Sequence, residues 1–385
     1  MFDLPLNKFC RFCSRYFFRN PILTYPNSPA SAQGFLDSKS ELIDNIDLDI
    51  YQCASCGLVQ HILEPVSYYK EVIRAIAYSL EMKAFRLKQL NSWLIEYDLL
   101  SHKKILEIGC GNGEYLELLK LSGAINVSGL EFSNDSVMNA NSKGLDVKHG
   151  YLDENFKNPW NNTFDGFVIF SFMEHWPNLN LSLRKLSKLL NDDAVGLIEV
   201  PNFEFILANG LYSEFTTDHI FYFDRKSLMQ VLENNGFVVM SIESVWHDYI
   251  LSAKVKKRNI ISTKLLNIRQ ELIKQQIDLF VRRFEPSEVV VWGAGHQALA
   301  VMSIANLEKF VSHVIDSAVF KQGKFTPGTR LLIKAPKTLL KDKPKAIIIM
   351  AAAYSDEVAK IVLSEYKMIK EIAILTENGL EMLIN

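Results

Sequence analysis

The sequence predicts an α/β protein with mainly parallel sheets covered by helices, preceded by a small metal-binding domain. Three observations lead to this prediction. Short apolar runs alternate with amphipathic segments, a pattern typical of parallel sheets with helices on both faces. Two of the apolar runs end in glycine-rich turns, at residues 109–113 and 293–295. Two Cys-x-x-Cys pairs, beginning at Cys10 and at Cys53, precede the first of these turns.

The composition indicates a soluble globular protein of two or three domains. The chain has 385 residues, of which 48% are hydrophobic, and its formal net charge is −2. No apolar stretch reaches the roughly 20 residues that a membrane helix needs, and the near-neutral charge does not favour general nucleic-acid binding. The N-terminal residues lack the pattern of a signal peptide. We therefore expect a cytoplasmic protein whose cysteines are reduced.

The cysteine pairs predict a structural zinc site. Each pair can present two thiolates to one face of a tetrahedral Zn²⁺ ion, and the predicted ligands are Cys10, Cys13, Cys53 and Cys56. A redox-active pair would need a helix start behind it, and a single pair would suffice. His61 could serve as a spare ligand, although a surface or hydrogen-bonded histidine is the more common case.

The central part of the chain predicts a ligand site at the end of a parallel sheet. Its apolar strands are Ile105–Ile108, Val127–Leu130, Phe167–Phe170 and Val195–Val200. The glycines that follow the first strand let the backbone turn tightly and approach a ligand, and the helix start behind them presents free N–H groups. Glu131 ends the second strand, where a carboxylate can accept hydrogen bonds from ribose hydroxyls. No lysine follows the turn as in a phosphate-binding P-loop, so a nucleoside triphosphate is a poor second choice.

Two loops beyond the strand ends carry residues suited to acid–base chemistry. Asp218 and His219 lie among aromatic residues after the last central strand, and a histidine beside a carboxylate suits proton transfer near neutral pH. The alternative is a histidine that only hydrogen-bonds the loop. Glu174 and His175 follow the fourth strand, near the expected ligand crevice, and they could equally cap the next helix.

The C-terminal part of the sequence predicts a second α/β unit. Residues Lys254 to Phe284 have the pattern of a long basic amphipathic helix that connects two domains, and its charges of both signs favour a solvated face. A Gly-x-Gly-x-x-Ala turn follows the next strand, with an acid on the strand after it, which is a fair dinucleotide fingerprint. The predicted strands are Val289–Trp292, Val311–Asp316, Ile347–Met350 and Glu371–Leu375.

Taken together, the chain resembles the three-domain sugar-nucleotide C-methyltransferase family from end to end. The glycine turn with Glu131 already resembles the class I S-adenosylmethionine-dependent methyltransferases. The wider resemblance rests on the paired cysteine motifs, Leu106–Gly113, Glu199–Asn202, Asp218-His219 with Tyr222-Phe223, Trp292–Gly295 and Lys321–Thr329. It implies a zinc-binding domain at 1–66, a methyltransferase domain at 67–252, a connecting helix at 253–285 and a Rossmann-like domain at 286–385.

The resemblance also implies an activity. Members of this family methylate a carbon beside the keto group of a nucleotide-linked deoxysugar, using S-adenosylmethionine, and their zinc is structural. Their C-terminal unit helps to hold the nucleotide sugar and binds no NAD, so we assign the dinucleotide fingerprint a structural or sugar-nucleotide role. We expect a monomer or weak homodimer, with a small-molecule acceptor and neither nucleic acid nor membrane as a partner.

The motifs and the resemblance together yield specific site residues. The predicted catalytic residues are His219, as general base, with Asp218 and Tyr222. The predicted cofactor residues are Glu107, Gly109, Gly111, Asn112, Gly113, Glu131, Phe132, Ser133, Ser171 and Phe172. The predicted acceptor residues are Tyr78, His175, Asn202, His296, Gln297 and Lys321.

The sequence departs from the family pattern at a few positions. Thr216 stands where relatives commonly have the tyrosine of Tyr-x-Glu-His, which removes a phenol. His296-Gln297 replaces a common Lys-Gly, and Phe85 replaces a common histidine on the helix before the central sheet. The sugar, the nucleotide and the methylated atom therefore stay open.

Other functions remain compatible with parts of the sequence. An O- or N-methyltransferase acting on a sugar nucleotide or another small metabolite would use the same cofactor site. An RNA methyltransferase would explain the zinc module, but the chain lacks the basic footprint of RNA-binding proteins. A non-catalytic binding protein of this fold would have lost Glu107, Glu131 or His219, and all three are present.

Overall fold

The computed structural model describes residues 9–33, 35, 45–70 and 79–383. The chain divides into two compact units, Met1–Asn259 and Ile260–Asn385. Tyr78, one of the predicted acceptor residues, lies outside the described residues. Within the described part of the chain, no helix is both long and apolar enough to cross a membrane.

The first unit alternates strands and helices along most of its length. In chain order its elements are β1 Leu23–Ser28, β2 Ile46–Gln52, β3 Val59–His61, α1 Leu80–Glu96, β4 Lys104–Ile108, α2 Glu114–Leu121, β5 Asn126–Glu131, α3 Asn134–Ser142, β6 Asp146–His149, β7 Phe164–Phe170, α4 Leu179–Ser187, β8 Leu190–Pro201, α5 Phe203–Ala208, β9 Phe221–Tyr222, α6 Arg225–Asn234, β10 Phe237–Val245 and β11 Ile250–Lys257.

The central sheet of this unit confirms the predicted fold class. Its strand order is β10-β11-β8-β7-β4-β5-β6, and the pairs from β8 to β6 are parallel. Successive residues of one strand enter different apolar cores: Phe167 and Ile169 pack in one core and Val168 packs in the other. A sheet buried on both faces explains why its strands read as continuous apolar runs. It also brings the carboxyl ends of β4, β5, β7 and β8 to one edge.

The end of this sheet differs from the sequence prediction. The helix predicted to begin at Lys254 begins at Lys264, because residues 250–257 form strand β11, which pairs antiparallel with both β8 and β10. Leu251, Ala253 and Val255 are buried on one face of this strand, and lysines alternate with them. The period of these apolar residues is therefore two, as in a strand, and the basic charges occupy its other face.

A small antiparallel sheet connects the N-terminal part of the chain to the predicted catalytic segment. Its order is β1-β2-β3-β9, and β9 lies only two residues after His219. Val59 of β3 pairs with Tyr222 of β9, and the N–H of His61 donates to the carbonyl of Ile220 at 3.2 Å. The sheet thus holds strand β3, which follows the second cysteine pair, beside the chain that follows His219.

The second unit has its own sheet and core. Its elements are α7 Lys264–Val281, β12 Val289–Trp292, α8 His296–Ile304, β13 His313–Ile315, β14 Ile333–Lys334, α9 Leu339–Asp342, β15 Ala346–Ile349, α10 Ser355–Glu365, β16 Glu371–Thr376 and β17 Gly379–Leu383. The order is β14-β13-β12-β15-β16-β17, parallel except for the final pair. The last turns of α7 bury Ile277, Phe280 and Val281 in this unit's core.

Candidate active site

The turn after β4 has the backbone conformation that its glycines predict. Gly109, Gly111 and Gly113 have φ values of +69°, +54° and +86°. A Cβ atom on Gly109 would lie 2.4 Å from the ring of Phe172, and one on Gly113 would lie 2.2 Å from Leu145. Side chains other than hydrogen are therefore excluded at these two positions by both conformation and space. Helix α2 begins directly after the turn, at Glu114.

Glu131 ties this turn to the end of strand β5. Its Oε2 accepts the N–H of Gly111 at 2.9 Å, and its Oε1 accepts the N–H groups of Phe132 and Ser133, each at 2.8 Å. Because a carboxylate has about four acceptor positions, a ligand hydroxyl can still approach Glu131. Three backbone donors thus fix the carboxylate before any ligand arrives.

Four further predicted cofactor residues divide into two groups, and Glu107 and Phe132 are not among the residues that line the cavity described next. Ser171, in a left-handed conformation with φ of +44°, and Phe172 line a cavity at the sheet edge together with Glu131. Asn112 accepts a hydrogen bond from Asn139 at 3.2 Å, while the hydroxyl of Ser133 caps helix α3. Those two side chains serve local structure, and they do not line the cavity in the described part of the chain.

The cavity has a volume of about 430 Å³ and contains both predicted kinds of residue. Its lining includes Gly109, Gly111, Glu131, Ser171 and Phe172 from the predicted cofactor site and Glu174, His175, Asp218 and His219 from the two acid–base loops. Sequence separation between these groups is large, but the carboxyl ends of parallel strands meet at one edge. The structure therefore brings the glycine turn and the acid–base loops into one site.

Two histidines hold the main chain on either side of the Asp218 residue. His61 Nε2 lies 3.0 Å from the carbonyl oxygen of Thr217, and His175 Nδ1 lies 2.8 Å from the carbonyl oxygen of Asp218. A carbonyl oxygen only accepts, so both rings donate an N–H there. The ring of His175 also packs edge-on against that of His219, with 4.8 Å between centroids. His219 is thus presented to the cavity by a clamped backbone.

The three histidines share a low-dielectric environment that favours their neutral forms. Burial lowers the pKa of His219, although Asp218 and Glu214 partly oppose the effect. Burial, with a further contribution from His219, lowers the pKa of His175 to about 3. Burial, assisted by Arg11, lowers the pKa of His61 to about 4. At neutral pH His219 therefore has an unprotonated ring nitrogen, as a base requires.

Asp218 and Tyr222 have partners other than those their predicted catalytic roles suggest. Among the described residues, the Asp218 carboxylate is hydrogen-bonded to Ala32, Tyr68 and Thr217 and not to the ring of His219. It affects His219 through charge alone. Tyr222 is 3% exposed. Its hydroxyl accepts the N–H of Thr216 at 3.1 Å and donates to the carbonyl oxygen of Thr216 at 3.2 Å. It supports the loop from behind the cavity.

Asn202 also has a structural role in the described contacts. Its Oδ1 accepts the N–H groups of Glu204 and Phe205 and so caps helix α5, and its Nδ2 donates to the Asp248 carbonyl at 2.7 Å. A buried asparagine with both ends bonded has little capacity left for an acceptor molecule. We therefore leave it out of the candidate site.

The two cysteine pairs form one cluster, with sulfur–sulfur distances that suit a tetrahedral metal ion. The Sγ atoms of Cys10 and Cys56 lie 3.7 Å apart, those of Cys13 and Cys53 lie 3.5 Å apart, and all four are within 4.8 Å of one another. Zinc with Zn–S bonds of about 2.3 Å would hold tetrahedral sulfurs roughly 3.8 Å apart. The fifth cysteine, Cys110, lies in the glycine turn and outside this cluster.

The surroundings of the cluster also resemble those of a metal site. The N–H groups of Ser55 and Cys56 point to Cys53 Sγ at 3.4 and 3.5 Å, and Gln60 Nε2 donates to Cys10 Sγ at 3.2 Å. Such donors stabilise thiolates that bind a metal. His61, the possible spare ligand, bonds Thr217 instead, and it is not part of the cluster.

The second unit has a separate cavity of about 480 Å³, which includes His296, Gln297 and Lys321. Asp316, after β13, accepts the N–H of Ala294 at 2.9 Å and the ammonium of Lys321 at 2.9 Å. The contact of Asp316 with the glycine turn repeats the contact between Glu131 and Gly111. The predicted C-terminal residues therefore belong to a ligand-sized cavity of their own.

Sequence reasoning missed two residues that hold the catalytic segment. Tyr68 is one of several aromatic residues between positions 68 and 97, and its sequence neighbourhood gives no sign of a role in the site. His61 carried a weaker signal, since a histidine next to a cysteine motif drew attention only as a metal ligand. The partners of both residues lie some 150 positions away in sequence, and no local pattern reveals them.

Two family models match different parts of the chain. A family model for a methyltransferase domain matches residues 81–242, and one for a C-methyltransferase C-terminal domain matches residues 261–368. C-methyltransferase NovU from Streptomyces niveus is 22% identical over 344 residues, which cover 81% of each chain.

Solved methyltransferases also align with part of the chain. Magnesium protoporphyrin IX methyltransferase ChlM from Synechocystis PCC 6803, with bound SAH, is 13% identical with a TM-score of 0.38, covering 48% of this chain and 90% of that one. The plantazolicin methyltransferase BpumL in complex with SAH is 18% identical with a TM-score of 0.37, covering 46% and 86%.

The two family models together span both compact units, and the relative with a curated function extends over most of the chain. The chain is therefore an S-adenosylmethionine-dependent methyltransferase, with a methyltransferase domain at residues 81–242 followed by a C-methyltransferase C-terminal domain at residues 261–368.

Proposed function

We propose that this enzyme methylates a carbon beside the keto group of a nucleotide-linked deoxysugar, with His219 as the general base. The observation that carries the proposal is the position of His219, a neutral imidazole in the same cavity as the glycine turn and Glu131. The match to a C-methyltransferase C-terminal domain and the similarity to NovU support carbon as the methylated atom.

The glycine turn and its neighbours fit S-adenosylmethionine. Gly109 and Gly111 line the cavity, where residues without side chains let a ligand lie against the main chain. In this proposal Glu131 accepts hydrogen bonds from the ribose hydroxyls, and Ser171 and Phe172, which line the same cavity, form a neighbouring wall. When bound there, S-adenosylmethionine supplies an electrophilic methyl group on a sulfonium centre.

His219 supplies the proton chemistry in this proposal. Its unprotonated ring nitrogen takes a proton from the acceptor carbon next to the ketone, and the electron pair of that C–H bond passes into an enolate. His61 and His175 donate hydrogen bonds to the carbonyl oxygens of Thr217 and Asp218. These bonds fix the backbone that carries the ring of His219. This alignment and the exclusion of water by the cavity walls are the chain's main contribution.

We assign a structural zinc ion to Cys10, Cys13, Cys53 and Cys56. None of these cysteines is among the residues of the catalytic cavity, so the metal would stabilise the small sheet and take no part in proton transfer. Strand β3 connects the two places, because Gln60 bonds Cys10 and His61 bonds Thr217.

We propose that the cavity of the second unit binds a nucleotide. Helix α8 presents its first N–H groups at His296 and Gln297, which suits a phosphate group, and Lys321, paired with Asp316, lines the same cavity. A cytoplasmic location and a monomeric or weakly dimeric state stay predictions.

Glu131→Ala is expected to weaken the binding of S-adenosylmethionine by roughly 1.5–3 kcal/mol, the scale of a hydrogen bond to a charged group. Isothermal titration calorimetry on the purified enzyme measures this change. Glu117→Ala on helix α2 is the matched control, because its side chain is 43% exposed. A thermal melt of each variant separates lost affinity from a loosened turn, since Glu131 also holds Gly111. Equal affinity in Glu131→Ala and the parent would remove Glu131 from the site.

The proposal predicts which atom of the acceptor receives the methyl group. With methyl-¹³C S-adenosylmethionine and a nucleotide-linked keto-deoxysugar, the labelled methyl should appear bonded to carbon in the product. Carbon-13 NMR distinguishes this from a methyl on oxygen or nitrogen by chemical shift and by coupling to the neighbouring ring atoms. A product labelled on oxygen or nitrogen would replace the proposal by an O- or N-methyltransferase.

A further inference from the structure

The carboxylate of Asp218 is bound by residues from the N-terminal part of the chain. Its Oδ1 accepts the N–H of Ala32 at 3.0 Å and the hydroxyl of Tyr68 at 2.8 Å, and its Oδ2 lies 3.0 Å from the same hydroxyl. Asp218 is only 4% exposed, and a buried carboxylate is costly unless donors surround it. These two donors therefore stabilise the ionised side chain where it stands.

Tyr68 extends this contact to three consecutive residues. Its oxygen accepts the N–H of Gln33 at 3.0 Å and lies 2.7 Å from the hydroxyl of Ser31. Burial raises the pKa of the Tyr68 phenol, so the hydroxyl keeps its proton and can donate it to Asp218. Ala32, between the other two, bonds Asp218 directly. Each residue of the segment 31–33 is thus hydrogen-bonded to Tyr68 or to Asp218.

The segment 31–33 forms part of the catalytic cavity. Ala32 and Gln33 line it together with His175 and His219. The segment belongs to no helix or strand, so a sheet or helix hydrogen-bond ladder does not hold it in place. The bonds to Tyr68 and Asp218 therefore help to fix this wall.

We infer that Asp218 and Tyr68 are a positioning pair that holds residues 31–33 as a wall of the acceptor pocket, and that Asp218 is not the orienting partner of His219. The inference rests on the proposed function for the identity of the acceptor, but the hydrogen bonds it invokes do not.

Amide hydrogen exchange tests the pair without any substrate. Tyr68→Phe removes the acceptor of the Gln33 N–H, and Asp218→Ala removes that of the Ala32 N–H. We expect exchange of these amides to become faster by roughly ten-fold or more in the respective variants, the scale of one lost hydrogen bond. In Asp218→Asn the amide oxygen can still accept both bonds, so exchange should stay near that of the parent. Tyr16→Phe, at a tyrosine that is 61% exposed, is the matched control.

Steady-state kinetics then tests the consequence for the acceptor. Tyr68→Phe and Asp218→Ala should raise the KM of the acceptor by roughly ten-fold or more, with a smaller change in kcat and no change in cofactor affinity. Asp218→Asn should restore most of the KM, because it keeps the wall and loses only the charge.

The opposite pattern would overturn the inference. If Asp218→Asn lost kcat as strongly as Asp218→Ala while the Ala32 amide still exchanged at the rate of the parent, Asp218 would serve the reaction through its charge and would not be a positioning residue. Unchanged amide exchange in Tyr68→Phe would likewise refute the pair. If exchange responds as expected but the enzyme proves to methylate a different class of acceptor, the proposed function fails and the positioning pair stands.

Discussion

Replacing His219 by alanine or asparagine is expected to lower turnover by about 10²–10⁴, the usual contribution of a general base. The affinity for S-adenosylmethionine should stay close to that of the parent, because the glycine turn and Glu131 do not depend on the ring of His219. Rates at saturating acceptor, with cofactor affinity from calorimetry, measure both quantities.

The exposed His247 offers a matched control for this variant. Its side chain is 70% exposed, and asparagine tolerates the positive φ of 57° at this position. His247→Asn should therefore keep full activity. A fully active His219→Ala or His219→Asn enzyme would contradict the role of base and would favour an enzyme that only aligns an oxygen or nitrogen acceptor.

The lowered pKa of His219 also predicts the direction of the pH dependence. A base works when unprotonated, so kcat/KM should fall as the pH drops through that pKa. Burial lowers the pKa, which places this acid limb below the ordinary histidine value of about 6.5. The Asp218 charge raises the pKa, so Asp218→Asn should move the limb to still lower pH. An acid limb above the ordinary value would contradict a neutral base with a lowered pKa.

Loss of the predicted zinc is expected to have the largest effect on stability. Cys53→Ser removes one of four ligands at a residue that is 1% exposed. Structural zinc contributes about 10–16 kcal/mol of binding free energy in zinc-finger peptides, and part of that should appear as a lower Tm. Elemental analysis should find one zinc per chain in the parent and clearly less in Cys53→Ser.

Cys110→Ala is the control for the zinc prediction. Cys110 is also buried but lies outside the cluster, so this variant should keep its zinc. Because β3 carries both Gln60 and His61, loss of the metal should lower turnover more than it lowers cofactor affinity. A parent enzyme purified without chelator that contained no zinc, or a disulfide between Cys10 and Cys56, would contradict the assignment.

Local sequence patterns were sufficient for the features that local chemistry determines. Gly109 and Gly113 require their residue type because of φ and space, and Glu131 lies one parallel strand away from them. The two Cys-x-x-Cys pairs could be predicted to meet, because four thiolates at such spacing have few other uses in a reduced protein. The parallel strands of both sheets follow from apolar runs that are buried on two faces.

The remaining contacts depend on the tertiary structure. Asp218 precedes His219 in sequence, yet its carboxylate bonds Tyr68 and Ala32, which lie 150 and 186 residues earlier. The hydroxyl of Tyr222 bonds the backbone of Thr216, which no pattern could distinguish from a catalytic phenol. The basic segment at Lys254 was misread because alternating apolar residues in a short strand carry less signal than a long amphipathic pattern.

The central claim is that His219 takes a proton from a carbon, and solvent exchange tests it most directly. The enzyme is incubated in deuterated water with a nucleotide-linked keto-deoxysugar and with SAH in place of the methyl donor, and the recovered sugar is analysed by mass spectrometry and proton NMR. We predict deuterium at the carbon next to the ketone with the parent enzyme and none above background with His219→Asn. A parent enzyme that methylates this carbon without such exchange, while His219→Asn turns over at the same rate, would contradict the account.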